Sequence, residues 1–306
     1  MIISASRRTD IPAFYGEWMY QRLQEGRVHV PNPYRPHQVR EILFSPESID
    51  CIVFWTKNLL PFLSYLPEIS RMGYSFYFQH TLTPYGTDLE PGIAEKRKIL
   101  DGMRRFGEHY GSDALVWRYD PILLNSEWKI SRHIDAFGQL CRAMQETVGR
   151  CVISFLDLYP GRMKTRSFRE ITPEEMEILA REFGKIAAEY RIPLYTCAEA
   201  GDYTAYGIQH SSCIDPELAE KAAGYPLKLT ADRYQRTGCG CAESLDIGMY
   251  GSCPHGCRYC YASGGRRLVS EIHDPNSPRL LGYPDKEDSV QKVLTVSDKK
   301  EQLCLF

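Results

Sequence analysis

The sequence predicts an α/β protein whose core is a full or partial (β/α) barrel. Short apolar runs suited to buried strands alternate with longer helical patterns through the first 200 residues, which is typical of βαβ units and a parallel sheet. Polar and charged residues follow directly after these runs, at the strand ends where (β/α) barrels place their chemistry. A chain of 306 residues can form one such domain or two smaller ones.

Six strands are predicted from apolar runs bounded by polar or turn-forming residues. In chain order they cover residues 1–7, 51–55, 74–81, 114–119, 151–158 and 193–197. Helical patterns follow the first five, over residues 13–24, 60–71, 93–106, 131–147 and 173–190. Thr172 and Pro173 supply an N-cap and a first-position proline for the last helix. The proline-rich residues 30–36 are predicted to be a connection.

The alternation ends near residue 200. We assign residues 1–200 to the barrel core and residues 201–265 to a cysteine-rich, cluster-binding segment that completes the barrel. Residues 266–306 are polar and contain no long periodic element, so we predict a tail that wraps the core rather than a second domain.

Composition narrows the class of protein. Hydrophobic residues make up 43% and charged residues 25% of the chain, which is ordinary for a soluble globular protein. The net charge of −2 gives no support to strong nucleic-acid binding but leaves it open, and no apolar run is long enough to span a bilayer. Eleven cysteines without a secretory signal pattern favour reduced thiols and metal ligation, so we expect a cytoplasmic protein.

The most specific pattern in the chain is the C-x3-C-x2-C spacing of Cys253, Cys257 and Cys260. Thiolates so close cannot all pair as disulfides, whereas they can converge on one soft metal centre. Tetrahedral zinc would need a fourth ligand, while a cubane cluster has four irons, so three cysteines leave one iron open. The alternatives are structural zinc and three unrelated thiols.

This segment resembles the signature of the radical S-adenosylmethionine (SAM) superfamily, in which the cysteines are followed by an aromatic and a small residue, here Tyr261 and Ala262. The resemblance implies a [4Fe–4S] cluster on the three cysteines, with its open iron bound by the amino and carboxylate groups of SAM. It also implies reductive cleavage of SAM to a 5′-deoxyadenosyl radical. The implied partner is a low-potential electron donor of the flavodoxin or ferredoxin type, and the substrate is unknown.

Other segments resemble the subgroup that contains spore photoproduct lyase, but in a rotated order. That subgroup has a His-Gly-Cys-x-Tyr-Cys loop, strands ending in Thr-Asp and Thr-Lys, a Leu-Glu-Pro before a helix with a basic centre, and a strand ending near proline. The matching segments here are residues 255–260, 9–10, 56–57, 89–91 with Arg97, and 118–121. Moving the cysteine loop to the front restores the order, as a circular permutation would. We therefore predict a radical SAM-like barrel, circularly permuted, with the cluster loop near the C-terminus.

The rotated order also makes a prediction about the sheet. A short strand near residues 247–250 should precede the cysteine loop and lie beside the strand at residues 1–7.

The resemblance to the spore photoproduct lyase subgroup covers about residues 1–125 and 247–265. The whole chain also resembles an uncharacterised bacterial family that shares the Ser-Arg-Arg-Thr-Asp of residues 6–10 and the C-terminal cysteine block. That likeness supplies no substrate.

Four residues at strand ends are candidate contacts for SAM: Thr9, Asp10, Lys57 and Arg118. Thr9 and Asp10 could bind its amino group or ribose, and the alternative is a helix N-cap with Asp beside it. Lys57 and Arg118 could meet its carboxylate or a substrate anion. The alternative for these two is an ion pair with Glu90 or Asp120.

Weaker candidates lie at other strand ends and in one loop. His80 could act as an acid or base, although a hydrogen-bonded structural histidine is the simpler interpretation. Glu199 follows the sixth predicted strand and could face the site. A basic loop could bind a phosphate-bearing substrate or could simply be solvated; its members are Arg162, Lys164 and Arg166.

A second metal site is predicted from four further cysteines: Cys197, Cys213, Cys239 and Cys241. Four thiolates match the ligand set of a second cubane cluster or of an all-thiolate zinc site. Glycines flanking Cys239 let the backbone fold tightly. The alternative is that Cys197 is buried and inert, Cys213 incidental, and only the close pair functional. The remaining cysteines are predicted to be core or tail residues: Cys51, Cys141, Cys151 and Cys304.

Two classes of function follow from these patterns. The first is an iron–sulfur, radical SAM-type enzyme that cleaves SAM reductively to act on an unknown substrate. The second is a non-catalytic metal-binding protein, in which zinc or a cluster stabilises the C-terminal segment. Formation of 5′-deoxyadenosine after reduction discriminates between them.

Overall fold

The computed structural model describes residues 1–158, 168–235, 238–263 and 272–300. The strands are β1 (Ile2–Ala5), β2 (Arg27–Pro31), β3 (Gln38–Leu43), β4 (Cys51–Thr56), β5 (Phe76–Thr81), β6 (Leu115–Ile122), β7 (Arg150–Phe155), β8 (Leu194–Cys197), β9 (Ile208–Ser211), β10 (Leu245–Asp246) and β11 (Ser289–Leu294). The α-helices are α1 (Ile11–Phe14), α2 (Gly16–Glu25), α3 (Leu66–Arg71), α4 (Lys96–Tyr110), α5 (Ile130–Met144), α6 (Pro173–Glu189) and α7 (Pro216–Ala223). Short 3₁₀ turns occur at Leu60–Phe62, Ser112–Ala114 and Thr204–Tyr206.

Eight parallel strands form the main sheet, in the order β10-β1-β4-β5-β6-β7-β8-β9. The six strands predicted from the sequence are β1, β4, β5, β6, β7 and β8. They lie side by side in chain order, and each connection between neighbours carries at least one helix, as parallel pairing requires. The predicted α/β class with a parallel sheet is therefore confirmed.

The two faces of this sheet are covered differently. On one face Phe54, Phe78 and Trp117 pack with helices α2 to α6 in the main core. On the other face Val53 and Val116 pack with α7 and with the segment before β10. Winding the large helices onto a single face of a parallel sheet is the arrangement of a (β/α) barrel. The main sheet is thus barrel-like and open between its two edge strands, β9 and β10.

A short strand before the cysteine loop pairs with β1, as the rotated order predicted, but it lies just before the predicted range. β10 pairs in parallel with β1, with Leu245 opposite Ile3 and Asp246 opposite Ser4. The strand begins two residues earlier than the predicted range of 247–250. No ladder joins β10 to β9 in the described residues, although the N–H of Ala242 donates to the carbonyl oxygen of Ile214 across this gap at 2.9 Å.

A second sheet of three strands, in the order β11-β3-β2, corrects one prediction. Residues 30–36 are not simply a connection, because β2 runs to Pro31 and pairs with β3 as an antiparallel hairpin. Val28 and Val30 alternate with more exposed neighbours and are buried in the main core, which stabilises this hairpin. The predicted tail contributes the third strand of this sheet, because β11 pairs in parallel with β3.

Helix boundaries differ from the predicted ones for local reasons. The helix predicted at residues 13–24 is broken at Tyr15 into α1 and α2. The start of α4 is delayed from residue 93 to Lys96, because residues 90–93 form a turn against the cysteine loop. The predicted N-cap of α6 is confirmed as a capping box between Thr172 and Glu175. Within the described residues, no helix has the length and apolar character needed to cross a bilayer.

Candidate metal and cofactor site

A cavity of about 830 Å³ lies at the carboxyl ends of the parallel strands. Residues in or just after the carboxyl-terminal parts of β1, β4, β6, β7 and β8 form its wall together with the cysteine loop after β10. Seven cysteines line it: Cys197, Cys213, Cys239, Cys241, Cys253, Cys257 and Cys260. The four candidate SAM contacts line it as well: Thr9, Asp10, Lys57 and Arg118. The structure therefore brings the predicted metal ligands and the predicted SAM contacts to one place.

His255 fastens the cysteine loop to the ends of two strands. Its Nε2 lies 2.7 Å from Oδ2 of Asp10, and its Nδ1 lies 3.1 Å from the carbonyl oxygen of Gly92. Asp10 also accepts hydrogen bonds from the backbone N–H groups of Ala13 at 3.0 Å and Lys57 at 2.7 Å. This carboxylate joins the chain after β1 and the chain after β4 to the loop. Because both ring nitrogens of His255 are engaged, this histidine is not a fourth metal ligand.

Two glycines permit the close approach of the cysteine loop to the turn before α4. Gly256 has a φ of +66°, a left-handed conformation that favours glycine. The N–H of Gly92 donates to the carbonyl oxygen of His255 at 2.9 Å. A Cβ atom on Gly92 would lie 2.6 Å from that oxygen, so a side chain does not fit there. The backbone of residues 89–92 therefore forms a cradle for the loop.

Glu90 connects this cradle to the residues between the cysteines. It is 1% exposed and accepts hydrogen bonds from Lys57 Nζ at 2.7 Å, Lys96 Nζ at 2.6 Å and Thr83 Oγ1 at 2.6 Å. The hydroxyl of Tyr259, which lies between Cys257 and Cys260, donates to the same carboxylate. Burial acts to raise the pKa of Glu90, but the two lysines lower it to about 2. Glu90 is thus an ionised buried hub that holds the loop in place.

The pKa values of Lys57 and Lys96, the two lysines that bind Glu90, shift in opposite directions. Burial acts to lower the pKa of both lysines, and the attraction of Glu90 acts to raise it. The pKa of Lys57 ends above its ordinary value, because Glu90 and the neighbouring Cys257 and Asp120 favour its charged form. The pKa of Lys96 ends below its ordinary value, because burial and repulsion by Lys57 outweigh Glu90 there. Lys57 is therefore the firmer partner of Glu90.

The thiols of the cysteine loop form a donor set suited to a metal. Burial raises the pKa of Cys253 and of Cys257 to about 12, and it also raises the pKa of Cys260. None of the three is in a disulfide, so each can exchange its proton for a metal. As they stand, no three or more His, Cys, Asp or Glu side chains among the described residues are arranged to hold a single metal ion. A cubane cluster takes each thiolate on a different iron and leaves its fourth iron open, whereas tetrahedral zinc would need a fourth ligand beside these three cysteines.

Thr9 and Asp10 have different roles in the structure. Asp10, not Thr9, is the N-cap of α1, and its carboxylate is fully engaged. Thr9 is 4% exposed, and its hydroxyl has no hydrogen-bond partner among the described residues. A buried unpaired hydroxyl costs about 1–3 kcal/mol, which a bound molecule in the cavity can offset. Thr9 is therefore the better candidate for contact with a ligand.

Lys57 and Arg118 are both engaged in the ion pairs that the sequence left as alternatives. Lys57 pairs with Glu90, and Arg118 donates to Oδ2 of Asp120 from Nε at 3.0 Å and from Nη2 at 2.5 Å. Nη1 of Arg118 lies 3.5 Å from the sulfur of Cys213. Burial acts to lower the pKa of Arg118, but Cys213 and Asp120 raise it well above its usual value. Both side chains keep their charge at the cavity wall.

The four other predicted ligands form a contiguous group of sulfurs. The sulfurs of Cys197 and Cys213 lie 2.8 Å apart, the sulfur of Cys241 accepts the N–H of Ile214 at 3.4 Å, and all four cysteines line the cavity. Hydrogen bonds from Cys197 and Cys241, assisted by Arg118 and Arg7, lower the pKa of Cys213 well below its usual value. A hydrogen bond from Cys241 lowers the pKa of Cys239 to about 6. Residues from three separate segments therefore meet as one thiol cluster.

Several weaker predictions can be compared with the structure. His80 is fully buried and neither ring nitrogen has a hydrogen-bond partner in the described residues, so the expected hydrogen-bonded histidine is wrong. Burial lowers the pKa of His80 to about 3, which keeps the ring neutral. Glu199 is not among the residues that line the cavity. Its Oε1 accepts a hydrogen bond from the N–H of Phe155 at 2.9 Å.

The basic loop and the remaining cysteines complete this comparison. Arg162, Lys164 and Arg166 lie outside the described residues, and so does Cys304. Cys51, Cys141 and Cys151 are 0% exposed in the hydrophobic clusters, so the prediction that they are core residues is confirmed.

Sequence reasoning missed two residues at the cavity. Asp246 ends β10 and accepts hydrogen bonds from Ser6 Oγ at 2.8 Å and from the N–H of Arg7 at 2.9 Å. It thereby fixes the chain after β1, and its position at a strand end was the available signal. Trp55 lies with its ring 5.9 Å from the guanidinium of Arg7 and 5.5 Å from that of Arg118. Because Trp55 ends an apolar run, the sequence did not indicate that its ring contacts two guanidinium groups.

The comparisons with known proteins identify a family. The family model for a domain of unknown function (DUF1848) matches residues 2–262. The chain belongs to this family. The match spans the whole main sheet and the cysteine loop, and it confirms the expected likeness to an uncharacterised family. No curated protein matches the sequence.

The solved structures that match include one that is similar at a low level. It is named "putative alpha-L-fucosidase" and comes from Bacteroides thetaiotaomicron VPI-5482. The similarity covers 68% of this chain and 80% of that chain, with 11% identity and a TM-score of 0.27. A TM-score this low carries no argument about this chain.

Proposed function

We propose that this chain is an iron–sulfur enzyme of the radical SAM type, built on a circularly permuted, barrel-like sheet. The proposal places a [4Fe–4S] cluster on Cys253, Cys257 and Cys260 and SAM in the adjoining cavity. One observation carries it: β10 pairs with β1, so the cysteine loop opens onto the carboxyl ends of the parallel strands. Three unpaired thiols with a fully engaged histidine between them suit a cluster with one open iron.

The chain's own residues would hold the cluster through their present contacts. Asp10 and Gly92 fix His255, and Glu90 fixes Tyr259, so the backbone between the cysteines is held at two points. The ammonium group of Lys57 is close enough to Cys257 to favour its thiolate form. Positive charge beside the thiolates stabilises a negatively charged cluster.

SAM would occupy the space between the cysteine loop and the strand ends. The cavity of about 830 Å³ is within the range of small-molecule sites, about 300–1,000 Å³. The free hydroxyl of Thr9 is the contact that the structure favours most, because it is buried at this wall without a partner. Arg118 and Trp55 supply a cation and an aromatic face further along the same wall.

When bound, the cluster would supply one electron, received from a low-potential donor of the flavodoxin or ferredoxin class, for reductive cleavage of a sulfur–carbon bond of SAM. The protein would keep this reaction in a recess lined by strand ends. A cytoplasmic location agrees with the free thiols of the described residues.

Anaerobic purification, reduction with dithionite and addition of SAM test the proposal. We expect about four irons per chain and formation of methionine and 5′-deoxyadenosine. Cys257→Ala should lose the visible absorption of the cluster and all 5′-deoxyadenosine. Cys141→Ala is the matched control, because Cys141 is buried on α5 in the main core and should leave both unchanged.

Two results would contradict this assignment. Iron-loaded, reduced protein that forms no 5′-deoxyadenosine would exclude the radical SAM reaction while leaving the cluster. A colourless protein that binds zinc through Cys253, Cys257 and Cys260 would favour the non-catalytic metalloprotein.

A further inference from the structure

The four-cysteine group occupies the gap between the two open edges of the main sheet. Cys197 is the last residue of β8, and Cys213 follows β9, so these two thiols belong to one edge. Cys239 and Cys241 lie just before β10, which is the opposite edge. The sulfurs of Cys197 and Cys213 lie 2.8 Å apart, and the sulfur of Cys241 accepts the N–H of Ile214, the residue after Cys213. The four cysteines therefore meet where no strand ladder joins the two edges in the described residues.

We infer that Cys197, Cys213, Cys239 and Cys241 bind one tetrahedral zinc ion, which closes the barrel-like sheet across this gap. The inference does not depend on the proposed radical SAM activity.

The spacing of the sulfurs favours a single ion over a second cubane cluster. Four thiolates at about 2.3 Å from one zinc ion stand about 3.8 Å from one another. The sulfurs of Cys197 and Cys213 are 2.8 Å apart and would need to separate by about 1 Å, which a change of side-chain torsion supplies. Among the described residues no group of three or more such side chains is already placed to hold a metal ion, so zinc binding requires this adjustment. A cubane would have to force all four sulfurs much further apart, against a packed backbone.

The backbone around the cysteines is folded tightly enough to present them together. Gly238 has a φ of +83°, and a Cβ atom on Gly240 would lie 2.8 Å from Oγ of Ser212. The Cys239–Cys241 turn is thus pressed against the residue next to Cys213. The N–H of Ile214 also points at the sulfur of Cys241 at 3.4 Å, which is a typical contact of a metal-bound thiolate.

Charge near the group also suits a bound metal. A zinc ion with four thiolates carries a net charge of −2, and burying that charge is costly unless cations are close. Arg118 Nη1 is 3.5 Å from the sulfur of Cys213, and the Nε of Arg7 is buried without a partner among the described residues. Two guanidinium groups therefore line the cavity with the four cysteines, and both contact the ring of Trp55.

Zinc bound by these four cysteines would restrict the movement of the neighbouring cysteine loop. β10 has only two residues, and its sheet pairing consists of the two positions opposite β1. The cysteine loop follows this strand directly. Metal ligation at Cys239 and Cys241 would therefore anchor the chain on the other side of β10 and limit how far the loop can move.

Zinc analysis of the full chain and X-ray absorption at the zinc edge test the inference. The wild-type protein should contain about one zinc per chain, coordinated by sulfur at about 2.3 Å. Cys213→Ser and Cys239→Ser should each lower zinc to background. Cys151→Ser, at a buried core cysteine, is the control and should keep its zinc. Cys257→Ser should also keep its zinc, whatever happens to its iron, which separates this site from the proposed cluster.

A variant that lacks one of the ligands could fail to fold. The X-ray absorption spectrum of the wild-type protein therefore tests the zinc coordination independently. A zinc shell of nitrogen and oxygen, or zinc retained in both serine variants, would overturn the inference. So would a wild-type protein without zinc, whether it shows a disulfide between Cys197 and Cys213 or about eight irons per chain.

Discussion

Replacing Glu90 by glutamine should destabilise the protein strongly, although it changes a single functional group. Glu90 is 1% exposed and its carboxylate binds Lys57 and Lys96, so Glu90→Gln would leave two lysines at a buried position without their counter-charge. The pKa of Glu90 falls from the ordinary 4.5 to about 2 in the folded protein. At about 1.4 kcal/mol per pKa unit, ionised Glu90 contributes about 3 kcal/mol at neutral pH.

The pH dependence of this contribution has a definite sign. Because the pKa of Glu90 is lower in the folded than in the unfolded chain, its contribution is fully present above pH 4.5. It is lost as the pH falls from 4.5 towards 2, since the unfolded chain then binds the proton more readily. The difference between wild type and Glu90→Gln should therefore be largest at neutral pH and shrink in acid.

Urea unfolding followed by tryptophan fluorescence measures the effect. With an m-value of about 3 kcal/mol per M, the midpoint of Glu90→Gln should fall by about 1 M at pH 7. Glu182→Gln is the matched control: Glu182 pairs with Lys185 at 2.8 Å on the exposed face of α6, and its loss should be close to neutral. A midpoint for Glu90→Gln within experimental error of wild type, or a difference that grows in acid, would refute this account of the hub.

Three further substitutions test the site. Gly92→Ala should sharply reduce iron per chain, because its Cβ would lie 2.6 Å from the carbonyl oxygen of His255; Gly138→Ala on α5, whose nearest contact is 3.9 Å, should leave iron unchanged. Thr9→Val should unfold no more easily than wild type but bind SAM about 2- to 10-fold more weakly by calorimetry, and unchanged affinity would remove Thr9 from the site. Asp10→Asn places an NH₂ group against donors and should cost about 1–3 kcal/mol in urea unfolding; equal stability would contradict its role.

The parts of the fold that could be predicted are those set by local pattern. Each strand of the main sheet from β1 to β8 is an apolar run with polar residues at its end. The local sequence therefore predicts both the strand and the end of the sheet at which its functional residues lie. The hairpin of β2 and β3 and the pairing of β11 with β3 were missed. β2 ends in a proline, and β11 becomes a strand through a partner about 250 positions away in the chain.

The ion pairs at the site show why side-chain roles were harder to predict than positions. Arg118 and Asp120 are two residues apart on β6, so they share a face and pair there; the alternation of a strand predicts this, but not that the pair outcompetes a ligand. Glu90 lies in a loop, and no local pattern shows that Lys96, Thr83 and Tyr259 converge on it. Convergence of this kind depends on the tertiary packing of four segments.

The position of the cysteine loop follows from strand pairing rather than from chain order. A parallel sheet brings the carboxyl ends of neighbouring strands together, whatever sequence of connections leads to them. Because β10 pairs with β1, the loop after β10 meets the residues after β1, and Asp10 can bind His255 although they are 245 positions apart. Moving the loop to the front of the chain would preserve each of these contacts. A rotated segment order and an unchanged site are therefore compatible, and disrupting the β10–β1 register should damage the site more than cutting a distant connection would.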